Sequence, residues 1–160
     1  MKIAMGCAKV AYPLKEAIKK HVLALGHEVV DFCDDVNDPM PYAEAASRTA
    51  EGFLREKCDR GILLCGTGMG VSLVANMYKG VTAAVCESKF AARRARFTNN
   101  ANILALGSFI LGETLANEMV DEFLKTEWLE NAPEQTKAIL GPQFEFIQKL
   151  EDKLLNDPLK

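Results

Sequence analysis

Apolar residues in this chain fall into two alternating kinds of run, short continuous blocks and longer segments with helical spacing. Lys2 to Gly6, Glu28 to Cys33, Gly61 to Cys65, Val81 to Cys86 and Asn102 to Leu106 are blocks of strand length. Between them, Pro13 to Leu25, Tyr42 to Lys57, Met69 to Tyr78, a basic segment carrying Lys89, Arg93, Arg94 and Arg96, and Gly112 to Trp128 read as helices. Pro13 opens the first helix and Gly26 closes it, as helix-end chemistry favours. An acidic, proline-containing loop runs through Pro41, and Gly80 separates the third helix from the fourth strand. Strands that are apolar throughout and separated by helices predict a parallel sheet covered on both faces. The expected fold is therefore α/β, a five-stranded parallel sheet in an open α/β/α sandwich, with residues 1–128 as the main unit.

Past Trp128 the pattern changes. Asn131-Ala132-Pro133 breaks the chain, and Glu134 to Leu155 reads as a further amphipathic helix with Phe144, Ile147, Leu150 and Leu154 in one stripe. This 129–160 extension has no strand of its own to cover. A subunit interface is its expected place, with folding back over its own domain as the alternative.

Composition then removes several classes. A chain of 160 residues, 49% hydrophobic and 26% charged, is sized for one core, and a net charge of -3 gives no field attractive to nucleic acid or acidic lipid. No apolar run approaches the roughly 18 residues of a membrane span, and the opening residues lack a signal-peptide pattern, so a cytoplasmic protein is expected. Cys7, Cys33, Cys58, Cys65 and Cys86 are odd in number and without Cys-x-x-Cys spacing, which suits free thiols better than disulfides or a zinc site. His21 and His27 fall around the end of the first helix and read as solvated surface residues, so histidine catalysis has little to work with.

The chemistry concentrates in Gly61 to Asn76, where a buried strand delivers Cys65 into Gly66-Thr67-Gly68-Met69-Gly70 at the start of a helix. The Gly-x-Gly-x-x-Gly spacing of a dinucleotide site fails at Val71, and no Gly-Lys-Ser/Thr follows, which disfavours a nucleotide cofactor. What the turn offers is unobstructed backbone N–H groups, the positive end of a helix and the Thr67 hydroxyl, a set suited to an oxyanion. A thiol beside them has its thiolate favoured, so Cys65 reads as a nucleophile or a general base. The bland reading is a buried, inert cysteine, and it is the one adopted for the other four.

The Cys-Gly-Thr-Gly-x-Gly run, the opening Met1 to Cys7 and the segment Asn99 to Gly107 resemble the type B ribose-5-phosphate isomerases and galactose-6-phosphate isomerase subunits, over roughly Met1 to Trp128. The resemblance implies a Rossmann-like sandwich working without metal or organic cofactor, as a homodimer or higher assembly with sites shared between subunits. It makes Cys65 the base that moves a proton between C1 and C2 of a sugar phosphate through an enediolate. Gly66, Thr67, Gly68, Met69 and Gly70 would form the anion hole, with Asn99 arriving from a neighbouring subunit. Such a hole is what a developing enediolate charge requires.

Departures from the family pattern shape the substrate question. Ala8-Lys9 stands where the ribose-5-phosphate enzymes have Asp-His, Thr98 replaces their ring-opening histidine, Phe109 replaces an arginine, and their basic C-terminal segment is absent. Lys9 is then the expected phosphate ligand, while Lys89, Arg93, Arg94 and Arg96 read as a solvated helix face. Three functions fit. One is an isomerase of an open-chain substrate such as a tetrulose phosphate; erythrulose-4-phosphate isomerases of this family also lack the histidine and carry Asn-Asn-Ala here. Another is one subunit of a hetero-oligomeric galactose-6-phosphate isomerase that borrows groups from a paralogous chain. The third is a non-catalytic sugar-phosphate-binding homologue.

Overall fold

The computed structural model describes residues 1–37 and 40–156. The Asp38-Pro39 pair of the acidic loop lies outside the described residues. Five strands, β1 (Lys2–Cys7), β2 (Glu28–Asp31), β3 (Arg60–Cys65), β4 (Ala83–Val85) and β5 (Ile103–Gly107), alternate with helices α1 (Tyr12–Ala24), α2 (Tyr42–Arg55), α3 (Met69–Ala75), α4 (Lys89–Asn99) and α5 (Glu113–Lys125). A long helix, α6 (Glu134–Asn156), follows. The strands form one parallel sheet in the order β2-β1-β3-β5-β4. This is the expected Rossmann-like architecture.

Side-chain alternation along each strand splits the core in two. Ile3, Met5 and Cys7 of β1, Ile62 and Leu64 of β3, and Leu104 and Leu106 of β5 point to one face, where Ile18, Ala92, Met119 and Phe123 from α1, α4 and α5 cover them. Ala4, Leu63, Cys65, Ile103 and Ala105 point to the other, beneath Ala46, Ala50 and Phe53 of α2 and Val71 and Ala75 of α3. Full burial of side chains of this size stabilises by roughly 1.5–3 kcal/mol each.

Where boundaries differ from the sequence expectation, asparagine side chains are the reason. The third helix stops at Ala75 rather than near Tyr78 because Asn76 caps it and turns its carboxamide to β4. Its Nδ2 donates to the Ala83 carbonyl at 2.9 Å, and its Oδ1 accepts the Ala83 N–H at 2.7 Å. Asn102 does the same for the loop before β4, donating to the Gly80 carbonyl and accepting the Thr82 N–H. The Asn102 carboxamide thus takes the Thr82 N–H and β4 shortens to three residues, although the Thr82 carbonyl still accepts the Asn102 and Ile103 N–H groups. A one-turn 3-10 helix over Lys9–Ala11, absent from the sequence reading, joins β1 to α1.

The C-terminal helix meets its own domain. The Phe144 ring lies 4.8 Å from that of Trp128, and near the carboxyl end of the helix Glu151 accepts the Gly80 N–H at 2.9 Å while Asp152 pairs with Lys79. Ile139, Phe146, Ile147 and Leu150 remain exposed. Among the described residues no helix is long and apolar enough to cross a membrane.

Candidate active site

Neighbours β1 and β3 lead the chain to opposite sides of the sheet, which makes the gap between their carboxyl ends the topological switch point. A cavity of about 410 Å³ opens there. The end of β1 contributes Ala8, Lys9 and Val10; the approach to α2 contributes Met40, Pro41 and Tyr42; the turn after β3 contributes Cys65, Gly66, Thr67 and Gly70; and Phe109 closes it from beyond β5.

Backbone bonds fix the Cys65 wall. The Ser108 N–H donates to the Cys65 carbonyl and the Phe109 N–H to the Gly66 carbonyl, both at 2.9 Å, so the β5–α5 loop clamps the end of β3. The Cys65 side chain is 6% exposed, and its Sγ accepts the Gly68 N–H at 3.1 Å. Gly68 caps α3 at φ +79°, a left-handed conformation that only glycine adopts without steric cost and that aims its N–H back at the sulfur. The Met69 N–H turns to the Thr67 Oγ1 at 3.4 Å.

Two aromatic rings lie against this turn. A Cβ on Gly66 would sit 2.5 Å from the Phe109 ring, and one on Gly70 would sit 2.7 Å from the Tyr42 ring. Glycine at both positions lets the rings rest directly on backbone.

The other four thiols are also buried and free. Burial pushes Cys7 up to about 12 despite nearby Lys15, and Cys86 up to about 11; it raises Cys33 and Cys58 as well. These are core side chains.

The structure therefore brings together Lys9, Cys65, Gly66, Thr67 and Gly70 at one cavity. Gly68 stands behind the sulfur as its donor, and the Met69 side chain is exposed away from the cavity lining. Asn99 is elsewhere. It is the last residue of α4, at the amino end of β5, whereas Cys65 pairs with Gly107 at the carboxyl end. That separation is about 13 Å along the strand direction. Within one chain Asn99 does not reach its own Cys65.

Two expectations about charged residues need correction. Arg96 does not belong to a solvated face: it is buried, donates to Asn100 Oδ1 and the Ala101 carbonyl, and shares Glu127 with Arg60. Its period on α4 points inward, and the Glu127 carboxylate beyond α5 makes that burial tolerable. His21 is half-buried and meets Asp121 Oδ1 at 2.6 Å, linking α1 to α5. Sequence reasoning also missed Met40, Pro41 and Tyr42 as cavity wall; the signal available was only that α2 starts on the carboxyl side of the sheet. No group of three or more His, Cys, Asp or Glu residues suited to a metal ion occurs among the described residues.

A parallel sheet with a donor-supported thiol and a glycine turn at its switch point defines a small-molecule enzyme of the open α/β class. The chain belongs to the Ribose/Galactose Isomerase family, whose model matches residues 3–139, and with it to the aldose–ketose isomerases. It is 38% identical over 156 residues to the 4-deoxy-4-sulfo-D-erythrose isomerase of Clostridium sp. (strain MSTE9), covering 96% of this chain and 98% of that one. It is 38% identical over 129 residues to the D-erythrulose-4-phosphate isomerase of Pectobacterium atrosepticum, covering 80% and 85%. Among solved structures, ribose-5-phosphate isomerase B of Clostridium thermocellum superimposes with a TM-score of 0.80 at 38% identity, covering 94% of this chain and 99% of that one.

Proposed function

We propose that this protein interconverts an open-chain aldose and ketose carrying a terminal anionic group, with Cys65 as the base. The observation that carries the reading is the buried Cys65 sulfur with the Gly68 N–H at 3.1 Å, inside a turn whose backbone lines a cavity of substrate size. Starting from the aldose, the Cys65 thiolate takes the proton from C2. The electron pair left behind forms the C1–C2 double bond, and the C1 carbonyl oxygen becomes an enediolate oxygen. The thiol then returns its proton to C1, while a hydroxyl proton passes from O2 to O1. Carbon 1 is reduced and carbon 2 oxidised within one molecule, so the balance closes without an external electron carrier.

The enediolate charge is the feature to be stabilised, and the backbone of Gly66, Thr67 and Gly70 with the Thr67 hydroxyl is the part of the cavity suited to it, Gly68 and Met69 having turned their N–H groups to the Cys65 sulfur and the Thr67 hydroxyl. Lys9, at the rim, is the counter-charge for the substrate's terminal anion. The substrate is a short phosphorylated or sulfonated sugar, a choice supported by Thr98 at the ring-opening position and by the four-carbon sugars in the names of two relatives. Asn99 completes the site from a second subunit, since its own chain carries it at the far end of the sheet. The exposed apolar residues of α6 are a surface for that assembly.

The test is solvent exchange. Purified protein alone should incorporate deuterium at C1 or C2 of a tetrulose phosphate or its sulfonate in deuterated water, read by NMR, and Cys65→Ala should not. Exchange that survives in Cys65→Ala removes the base. Exchange that appears only after mixing with a paralogous chain replaces the homomeric site by a heteromeric one.

A further inference from the structure

The cavity beside Cys65 is poor in positive charge. Among the described residues that line it, Lys9 is the one cation, and Val10, Met40, Pro41 and Phe109 make much of the remaining wall apolar. Phe109 is held in that wall rather than loosely disposed over it. Its N–H donates to the Gly66 carbonyl at 2.9 Å and its ring packs on the Gly66 backbone, although the residue is 74% exposed.

A phosphate monoester loses its second proton at a pH of about 6, so at neutral pH it is close to a dianion with three strong acceptor oxygens. Moved from water against an aromatic wall and the one ammonium that this chain supplies, it keeps a charge that this wall does not compensate. A sulfonate is singly charged over the whole range. Its charge is spread over three weakly hydrated oxygens, so one ammonium neutralises it and contact with an aromatic face costs little desolvation.

We propose that Phe109 is a specificity-determining residue: beside Lys9, the one cation that this chain's described residues bring to the cavity, its ring sets the site for a sugar ending in a sulfonate monoanion over one ending in a phosphate dianion. The proposal rests on the isomerase reading above and adds the class of head group to it.

The experiment compares kcat/KM for a C4-sulfonated tetrulose and its C4-phosphate counterpart, on the wild type, Phe109→Arg and Phe109→Leu. The wild type should favour the sulfonate by at least about tenfold, the scale set by one mispaired polar group in a binding site. Phe109→Arg should move the ratio toward phosphate by a similar factor, and Phe109→Leu should hold it. Because enzyme ionisations cancel in the ratio, the wild-type preference for sulfonate should also shrink as the pH is lowered through about 6, where the phosphate becomes a monoanion. That readout needs no variant to fold. A wild type that prefers the phosphate, or a ratio indifferent both to pH and to Phe109→Arg, overturns the proposal and leaves the isomerase intact. Absence of turnover and of deuterium exchange with both sugars overturns the isomerase reading along with it.

Discussion

Cys7 and Cys65 end adjacent parallel strands, and register puts them one step apart, Cys7 opposite Leu64 and Cys65 one residue beyond. That single step reverses their surroundings. Cys7 points to the α1 face, into a core beside Lys15, Asp31 and Cys33, and burial pushes its thiol up to about 12. Cys65 points to the α2–α3 face, borders a cavity and accepts an N–H from its own turn. Burial alone makes a cysteine inert; burial with a donor aimed at the sulfur makes it a candidate base.

The region around Cys7 has work of its own, which is to hold the rim. Lys15 is fully buried, and its Nζ donates to Asp31 Oδ2 at 2.6 Å and to the Cys33 carbonyl at 3.0 Å, while Asp31 accepts the Cys33 N–H at 3.0 Å. Tyr12, beneath the Lys15 ammonium, donates its hydroxyl to the Asp34 carbonyl. This network pins the chain leaving β2 on its way to Met40 and Tyr42. One face therefore carries out the proposed proton transfer, and the other positions the wall that meets the substrate.

Replacing the two cysteines gives the largest expected contrast. Cys65→Ala should lower turnover by about a hundredfold or more, the usual weight of a positioned general base, while Cys7→Ala should stay within about threefold and cost about 1 kcal/mol in urea unfolding. Equal losses in the two would erase the distinction.

Next in size is Asp31→Asn, which leaves the buried Lys15 ammonium with Glu16, at 2.6 Å, as its remaining carboxylate and should destabilise the fold by about 2 kcal/mol at neutral pH. Its sign with pH follows from Asp31 itself. Burial pushes this carboxyl up, but the hydrogen bonds from Lys15, Lys19 and the Cys33 N–H outweigh it and hold it below the ordinary carboxylate value. The stabilisation is then fully present above about pH 4 and fades as pH falls through the lowered value. Unfolding of wild type and Asp31→Asn followed from pH 7 downward should show their gap closing in acid; a gap independent of pH would remove the ion pair as its cause.

Gly68→Ala should cost about 1–2 kcal/mol of stability from the left-handed backbone. The Cβ would also meet the Leu106 backbone at 3.1 Å and shift the N–H at the sulfur, so turnover should fall on the order of tenfold. Activity unchanged at reduced stability would mean that the N–H does not matter to the thiol. Smallest is Lys9→Met, where loss of one charge-assisted contact should raise KM by about tenfold or less with little change in kcat. A fall in kcat alone would move Lys9 from recognition to chemistry.

Much of this was legible in the chain because it is encoded locally. Alternation along β1, β3 and β5, Pro13 and Gly26 around α1, and the glycine turn after Cys65 each involve residues close in sequence, so element order, parallel sheet and candidate base could all be read directly. The misreadings came from contacts between distant positions. Asn76 and Asn102 trimmed β4 by bonding across several to many residues, and Arg96 was buried because Glu127 arrived from beyond α5. The apolar stripe of α6, legible as a pattern, meets Trp128 through Phe144, while the polar Glu151 and Asp152 of the same helix reach the Lys79–Gly80 corner.

The sequence by itself determined the alternating βα plan and a thiol set in a turn of backbone donors, because helix periodicity, strand alternation and glycine's freedom at positive φ act over a few residues. Tertiary structure alone decided that Lys9, Tyr42 and Phe109 converge on that turn, and that Asn99 stands at the opposite end of the sheet from its own Cys65. Those placements depend on the strand order β2-β1-β3-β5-β4, which is set by how two layers of helices share one buried sheet and leaves no local mark on any of the residues it brings together.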